Sequence, residues 1–463
     1  MSNDPPQDPI EQFAARPDTD GIWRTGPIWM ASDRRLAKFV GRPIAGFLKV
    51  EAAGGIVLLL AAVVAMVWAN SPWAASYEAL WQSEIGISIG SFELTEDLRH
   101  WVNDALMVIF FFVVGLEIKY EMVSGELRDP KAASVPIIAA FGGMAVPAVI
   151  YAYFNAGGPG AVGWGIPMAT DIAFAVGVLS LLGRRIPPPA RIFLLTLAIV
   201  DDIGAIVVIA VFYTSDLSLF WLGLAGLGVL LMLGLRALRV WSMSLYVLLG
   251  VGVWFATYES GVHATIAGVV LGVLAPALPL LDQEQAKAYA RAAIADEHLD
   301  AQELRRYRFL LGESVPVAER VGAQLHPWSS YIVLPVFALA NAGINLSGDA
   351  LADALTSPVT AGVGLGLLVG KIAGVAGASW LAVRLGVGRL PHFTTWPMVV
   401  GLGAVAGIGF TVSLFVTGLS FPEGSQLAAD AKVGILGASL LAAILGSVIL
   451  LLTTRRRRPE PRS

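Results

Sequence analysis

The chain has 463 residues, of which 56% are hydrophobic and only 14% are charged. An ordinary soluble domain covers its surface with more charge than this, so the composition indicates a polytopic membrane protein. Cysteine is absent, which excludes disulfides and thiolate metal sites. The formal net charge of −4 gives no sign of a nucleic-acid partner.

Residues 1–43 are polar and mixed and contain no cleavable signal peptide, so the first apolar segment is expected to insert uncleaved. We divide the chain into a cytoplasmic N-terminal extension over 1–48, a membrane domain over 49–453 and a basic cytoplasmic tail over 454–463. The arginine run 455–458 directly follows the last apolar segment and is interpreted as a topological anchor.

Apolar runs of about 20 residues are long enough to cross a bilayer, and they predict an all-α protein with twelve transmembrane helices. The runs lie near 49–69, 103–118, 134–154, 161–182, 190–213, 217–236, 240–257, 262–280, 329–345, 358–383, 395–417 and 430–452. Lysine and arginine concentrate on the even-numbered loops, which places both termini in the cytoplasm. The short even loops carry Arg184, Arg185, Arg191, Arg236, Arg239, Arg384 and Arg389.

Two polar regions interrupt this pattern. The long loop over 281–328 has alternating charges that predict a solvated helix or a flexible insert. In the first external loop, ISIGSFELT alternates around Gly90 and Ser91 and predicts a short β-hairpin. An isolated two-stranded hairpin is marginal in water, so we expect it to pair with another element or with a second copy of itself.

Four charges lie well inside the predicted helices: Asp171 in the fourth, Asp201 and Asp202 in the fifth, and Lys371 in the tenth. Each is near the centre of its segment, so at about 1.5 Å per residue all four fall near the bilayer midplane. A carboxylate there costs at least ~2.5 kcal/mol. Because three acids face one lysine, the surplus carboxylate must be protonated, bound to a cation or hydrated.

Adjacent residues on a helix point about 100° apart, so Asp201 and Asp202 cannot share a face. One of them can meet Lys371 while the other faces a cavity with Asp171. Burial and neighbouring like charge favour the protonated form of a carboxyl group. A proton and a small cation can therefore compete for the free carboxylate, and such competition is the basis of exchange.

Two predicted helices contain candidate breaks. The fourth reads GWGIPMATDIAF, in which Pro167 removes a backbone donor and Thr170 adds a hydroxyl beside Asp171. The eleventh reads AVAGIGFTVSLF, with Gly407 and Thr411 at similar depth. The breaks occupy corresponding positions in helices three to five and ten to twelve. This placement predicts inverted-topology repeats with a site where two broken helices cross.

These residues stand in strings that closely resemble the NhaA family of bacterial sodium/proton antiporters. The strings are ATDIAFA (169–175), LAIVDDIGAI (197–206), SGVHATIAG (260–268), HPWSSYIVLPVFALANAG (326–343), VGKIAGV (369–375) and GIGFTVS (407–413). The matches run in order from about Lys49 to the end of the twelfth predicted helix.

The resemblance implies a role for each central residue. Asp202 would be the main sodium or lithium ligand and the proton carrier, and Asp201 would pair with Lys371 in some states. Asp171 and Thr170 would contribute to ion binding where the broken fourth and eleventh helices cross.

The resemblance also implies a pH response and a dimer. Glu117, Glu121 and His263 match family positions associated with pH response at the cytoplasmic side, although Tyr120 stands where a basic residue is common. The hairpin around Gly90 resembles the one through which family members form homodimers.

The leading hypothesis is an electrogenic, pH-regulated antiporter of the bacterial inner membrane that exports one sodium ion for more than one proton by alternating access. It requires no cofactor and no metal beyond the transported ion. One alternative is a sodium-coupled symporter of an organic substrate on the same fold. Another is an intramembrane aspartyl protease with a proton-sharing dyad. The order DDIG, the absence of GxGD and the presence of Lys371 argue against a protease.

Overall fold

The computed structural model describes residues 53–89, 92–214, 216–238, 240, 242–295 and 300–455. The predicted N-terminal extension lies outside the described residues, as do Gly90, Ser91 and residues 456–463 of the predicted tail. The described part is largely helical and contains one two-stranded sheet.

Ten α-helices lie in the described residues between 53 and 274. They are α1 (Ala53–Ala69), α2 (Ala74–Trp81), α3 (Leu98–Trp101), α4 (Met107–Val123), α5 (Pro130–Asn155), α6 (Ile172–Leu182), α7 (Pro188–Phe212), α8 (Leu219–Ala237), α9 (Met243–Glu259) and α10 (Thr265–Leu274). A π-helical turn, Val102–Leu106, joins α3 to α4. Three 3₁₀-helices complete this part: Glu126–Arg128, Ala161–Met168 and Gly183–Arg185.

Ten further α-helices lie in the described residues after 274. They are α11 (Gln283–Ala295), α12 (Ala301–Gly312), α13 (Val317–Trp328), α14 (Leu334–Asn341), α15 (Gly348–Thr356), α16 (Pro358–Leu365), α17 (Lys371–Arg384), α18 (Trp396–Ala406), α19 (Phe410–Ser420) and α20 (Gln426–Arg455). The π-helical turn Ser329–Val333 joins α13 to α14, and Gly366–Gly370 joins α16 to α17. Lipid offers no partner to backbone polar groups, so long apolar runs fold as helices.

Seven of the described helices are long and apolar enough to cross a membrane, and two bent pairs raise this number to nine. The bent pairs are α1 with α2, at 117°, and α18 with α19, at 46°. Each of the twelve predicted segments contains a described helix, but α9, α10 and α14 are too short to count alone. The all-α polytopic class is therefore confirmed, whereas twelve crossings and inverted repeats remain predictions.

The predicted hairpin is confirmed in its two strands. β1 (Glu84–Ile89) and β2 (Phe92–Asp97) pair antiparallel along their whole length. Tyr258, at the end of α9, donates a hydrogen bond to Glu96 at 2.6 Å, and Trp101 donates one to a β1 carbonyl at 2.8 Å. The hairpin is thus tied to two neighbouring helices within its own chain.

Glycine faces bring the backbones of some helices into contact. A Cβ on Gly272 of α10 would lie 2.8 Å from the Cα of Gly115 in α4, and one on Gly268 would lie 3.1 Å from the nitrogen of Phe112. At Gly374, α17 approaches α5 so closely that a Cβ would lie 3.0 Å from a backbone nitrogen. Small residues allow such close packing between membrane helices. Residues later in α10 contact residues later in α4, so these two helices run parallel.

The predicted polar loop over 281–328 is mainly helical and consists of α11, α12 and α13. The backbone nitrogens of Leu280 and Leu281 donate to the carbonyl of Glu313 at 2.9 and 3.1 Å. These bonds join the two ends of the α11–α12 pair at the point where the apolar segment ends.

Candidate ion-binding site

The predicted fourth helix is broken beside its buried acid. The 3₁₀-helix Ala161–Met168 contains Pro167, which cannot donate a backbone hydrogen bond. Ala169 and Asp171 have extended backbones, and α6 starts at the next residue. This break was predicted from the sequence, and the structure confirms it.

The predicted eleventh helix is also interrupted, and its break contacts the first one. Helices α18 and α19 are separated by 407–409. The nitrogen of Asp171 donates to the carbonyl of Ile408 at 2.6 Å, and the hydroxyl of Thr170 donates to the carbonyl of Ala406 at 2.8 Å. The irregular segments therefore satisfy each other's backbone groups, as buried non-helical backbone in a membrane requires.

Asp171 caps two helices at once. Its Oδ1 accepts from the nitrogen of Phe174 at 3.0 Å, in the first turn of α6. Its Oδ2 accepts from the nitrogen of Thr411 at 3.0 Å and from the hydroxyl of the same residue at 2.6 Å, in the first turn of α19. A carboxylate is stabilised at helix N-termini because the exposed N–H groups carry partial positive charge.

Asp171 lies at the positive ends of two helices, whereas Lys371 lies at the negative, carbonyl end of a helical segment. Its Nζ contacts Asp201 Oδ2 at 2.5 Å and Thr170 Oγ1 at 3.1 Å, and it donates to the carbonyl of Met168. The Thr170 hydroxyl also lies 2.6 Å from Asp201 Oδ2, so its single proton can be donated either to this carboxylate or to the carbonyl of Ala406. Met168 and Ala406 end their helical segments, so lysine and threonine face carbonyls with partial negative charge. Lys371, Asp201 and Thr170 are completely buried.

Asp202 is the acid without such partners. Its side chain lies on α7 and is 4% exposed, and its buried Oδ1 accepts no hydrogen bond from the described residues. The Oδ1 atom of Asp201 is also buried without a partner. Buried polar atoms are nearly always paired, so unpaired carboxylate oxygens here mark a place for a proton, water or cation.

The arrangement limits which groups are open to a cation. Asp202 and Asp201 each offer an unpaired oxygen, whereas the Thr170 hydroxyl and Asp171 Oδ2 are already engaged in hydrogen bonds. Within the described residues, no group of three or more histidine or acidic side chains could hold a metal ion. A small hard cation would thus take carboxylate oxygens together with backbone carbonyls or water.

A cavity of about 720 Å³ opens near one end of α4 and α7. Its lining includes the acids Glu121, Glu126 and Asp129, and the buried Thr196. Thr196 precedes Asp202 on α7 by about 9 Å along the helix axis. The cavity therefore lies on the N-terminal side of the aspartate pair along α7.

The predicted pH-response residues do not lie together. Glu117 interacts electrostatically with Asp202 and with Glu121, which accepts from the nitrogen of Glu126 at 2.8 Å. His263 precedes α10, and Gly268 of α10 packs against Val108 at the start of α4, whereas Glu117 and Glu121 lie toward its end. The placement of His263 on the side of Glu117 and Glu121 was wrong, because α4 and α10 run parallel.

Some features of the site were not predicted from sequence. Thr411 was noted for its depth only, and its two hydrogen bonds to Asp171 depend on the crossing of distant segments. The second membrane helix extends over Leu98–Val123, so it contains Asp104 and Glu117 as further interior charges. The string VNDAL was the available signal for Asp104, since it places an acid inside an apolar run.

A multi-pass helical protein whose interrupted helices meet around buried carboxylates belongs to the class of ion-coupled membrane transporters. The Na+/H+ antiporter 1 family matches residues 45–450, and the chain belongs to this family. It is a transporter and not an enzyme, so the protease hypothesis is excluded.

Three relatives align with this chain over most of its length. Na(+)/H(+) antiporter NhaA 2 of Sorangium cellulosum is 46% identical over 431 residues, covering 91% of this chain and 92% of that protein. Na(+)/H(+) antiporter NhaA 3 of Frankia alni is 47% identical over 406 residues, covering 87% of each. Na(+)/H(+) antiporter NhaA of Rhodopirellula baltica is 46% identical over 423 residues, covering 89% and 94%.

Proposed function

We propose that this protein exchanges sodium, or lithium, for protons, and that Asp202 is the carboxylate for which the ions compete. The observation that carries the proposal is the unpaired Oδ1 of Asp202 beside a fully engaged Lys371. A proton on Asp202 neutralises the buried charge in one state, and a sodium ion does so in the other. The names of the relatives, all Na(+)/H(+) antiporters, support this cargo.

The other buried charges hold the site in place. Asp171 caps α6 and α19, and Lys371 with Thr170 faces the carbonyl ends of the preceding segments. Asp201 pairs with Lys371 in this state and becomes a second ion ligand when that pair opens. Ions from the cavity beside Glu121 then meet two carboxylates on adjacent positions of one helix.

More than one proton per sodium makes the exchange electrogenic. Asp201 and Asp202 together bind one monovalent cation, so release of that cation and protonation of both changes the charge of the site by one unit. Each net charge that moves down the membrane potential contributes ~2.3 kcal/mol per 100 mV. This coupling exports sodium against its gradient.

Alternating access exposes the pair to one side of the membrane at a time. The cavity that includes Glu121 faces the cytoplasm in the topology set by the basic loops. Both termini then lie in the cytoplasm and the protein spans the bacterial inner membrane. Glu117 and Glu121, near this entrance, adjust the response to cytoplasmic pH, with His263 acting from the external end. The hairpin offers strand edges through which two copies pair.

Proteoliposomes test the proposal. Sodium added outside should drive proton movement in the wild-type protein, and Asp202→Asn should abolish it. Asp353→Asn is the matched control, because that acid is exposed and lies outside the site. Wild-type exchange by Asp202→Asn would falsify the role of Asp202. Stimulation of sodium flux by an organic solute would instead favour the symporter.

A further inference from the structure

Helix α12 carries a mixed apolar and basic surface on the side turned away from α11. The more sheltered residues Glu303, Tyr307 and Leu310 recur at helical spacing and face α11, against which α12 packs. Five exposed residues, which we call the basic face, spread over about 160° of the remaining surface at about 100° per residue, with the two arginines between the apolar side chains: Leu311, Leu304, Arg308, Arg305 and Phe309.

The apolar members of the basic face are exposed although α12 belongs to the polar 281–328 region. Leu304 is 59% exposed, Phe309 is 50% exposed and Leu311 is 37% exposed. Arg305 and Arg308 lie between them and form no ion pair with a described residue. An apolar surface of this kind, interleaved with arginine, is typical of helices that lie in a membrane interface.

The acidic residues of α12 lie at its N-terminus and its arginines lie further along, so the arginines are free to face an anionic surface. The acids Asp300 and Glu303 form a capping box at the N-terminus, where Asp300 accepts from the nitrogens of Gln302 and Glu303, each at 2.7 Å. They are therefore committed to the helix end. The basic face, further along, has no acid of its own.

The position of α12 places this face at the boundary of the apolar core. Glu313, directly after α12, accepts hydrogen bonds from the nitrogens of Leu280 and Leu281, at the end of a predicted membrane segment. Leu278 and Leu280 are themselves 70% and 57% exposed. The C-terminal end of α12 thus lies beside exposed leucines at the end of the predicted membrane segment.

We propose that α12 lies on the membrane surface and binds anionic phospholipid headgroups through Arg305 and Arg308, with Leu304, Phe309 and Leu311 inserted among the lipids. The arginines supply the charge that lipid phosphates attract, and the apolar side chains supply the buried area. This assigns lipid recognition to a region that the ion site does not use.

A single label tests the proposal, because the natural chain contains no cysteine. The full-length Leu304→Cys protein carries a fluorophore and is reconstituted in vesicles of phosphatidylglycerol or of phosphatidylcholine. Nitroxide lipids labelled near the headgroup should quench it strongly in phosphatidylglycerol and weakly in phosphatidylcholine. Glu284→Cys on α11, whose side chain is 78% exposed, is the matched control and should respond to aqueous iodide in both.

Charge removal then separates the arginines from the apolar side chains. Adding Arg305→Gln and Arg308→Gln to the labelled protein should reduce lipid quenching in phosphatidylglycerol to the control level, whereas Lys287→Gln on α11 should not. Equal quenching in both lipids would overturn the preference for anionic headgroups. If iodide quenches the fluorophore at residue 304 in both lipids, α12 does not bind the membrane. If the fluorophore is already shielded from iodide in detergent, it contacts protein and not lipid, and membrane binding is also overturned.

Discussion

The crossing of the two interrupted helices and the adjoining face of α7 differ in how completely their charges are paired. At the crossing, Asp171 and Lys371 each contact groups from distant segments, and the helix ends are all compensated. Asp202 is equally deep but has an oxygen without a partner. The proposal that a proton and sodium compete at Asp202 rests on this difference in pairing, and the crossing is the frame against which the proposal is tested.

The largest effect on stability is expected from Lys371→Met. It leaves Asp201 buried without its cation, and breaking a buried pair from one side costs about 3–5 kcal/mol. The midpoint of thermal unfolding in detergent measures this loss. Lys371→Met with Asp201→Asn should recover most of it, because no charge is then left unpaired. If the single and double variants unfold together, the frame does not depend on this pair.

Asp202→Asn should show the opposite pattern, with exchange lost and stability kept. The carboxylate gives up no hydrogen bond at Oδ1, so its removal should leave the unfolding midpoint at or above that of the wild type. The same detergent assay provides the measurement. A large fall in the unfolding midpoint would mean that Asp202 stabilises the structure as Asp171 does. The proposed difference between the two acids would then be lost.

Thr411→Val should have a smaller effect on the frame. It removes the hydroxyl that donates to Asp171 at 2.6 Å but keeps the backbone donor at 3.0 Å. A hydrogen bond to a charged group contributes about 1.5–3 kcal/mol. Unfolding midpoints of Thr411→Val and Thr411→Ser should therefore separate, with serine close to wild type. A loss in Thr411→Ser without a loss in Thr411→Val would indicate that the methyl group matters instead of the hydroxyl.

The smallest expected effect is electrostatic and concerns Glu117. Glu117→Gln removes a negative charge that interacts with Asp202 and should raise the apparent KM for sodium roughly fivefold. His263→Ala lies at the other end of α4 and α10 and should leave this KM unchanged. Sodium titrations of proton flux measure both. A KM effect for histidine and none for glutamate would reverse this assignment.

Sequence was sufficient for the features that follow from local chemistry. Charges in the centres of apolar runs predicted the burial of Asp171, Asp201, Asp202 and Lys371, and all four are buried. Pro167 and the glycines of GIGF indicated where helices break, because both residue types weaken helical hydrogen bonding or packing. The alternation around Gly90 was sufficient for the two strands of the hairpin.

Other features depend on which distant segments meet, and a single sequence does not show this. The carbonyls of Met168 and Ala406 have no side-chain signature, yet they face Lys371 and Thr170. His263 was placed with Glu117 although the predicted topology itself puts the start of the eighth segment at the external end. The glycine contacts between α4 and α10, which run parallel, agree with that topology. The polar loop over 281–328 gave no sign that α12 would expose leucine and arginine on one face.

The most direct test is the dependence of proton flux on sodium concentration at several pH values, measured in vesicles. If a proton and sodium compete for Asp202, lowering the pH should raise the apparent KM for sodium by about tenfold or more per unit on the acid side, with the maximal rate unchanged. A KM that stays constant while the maximal rate falls with pH would contradict competition at one carboxylate.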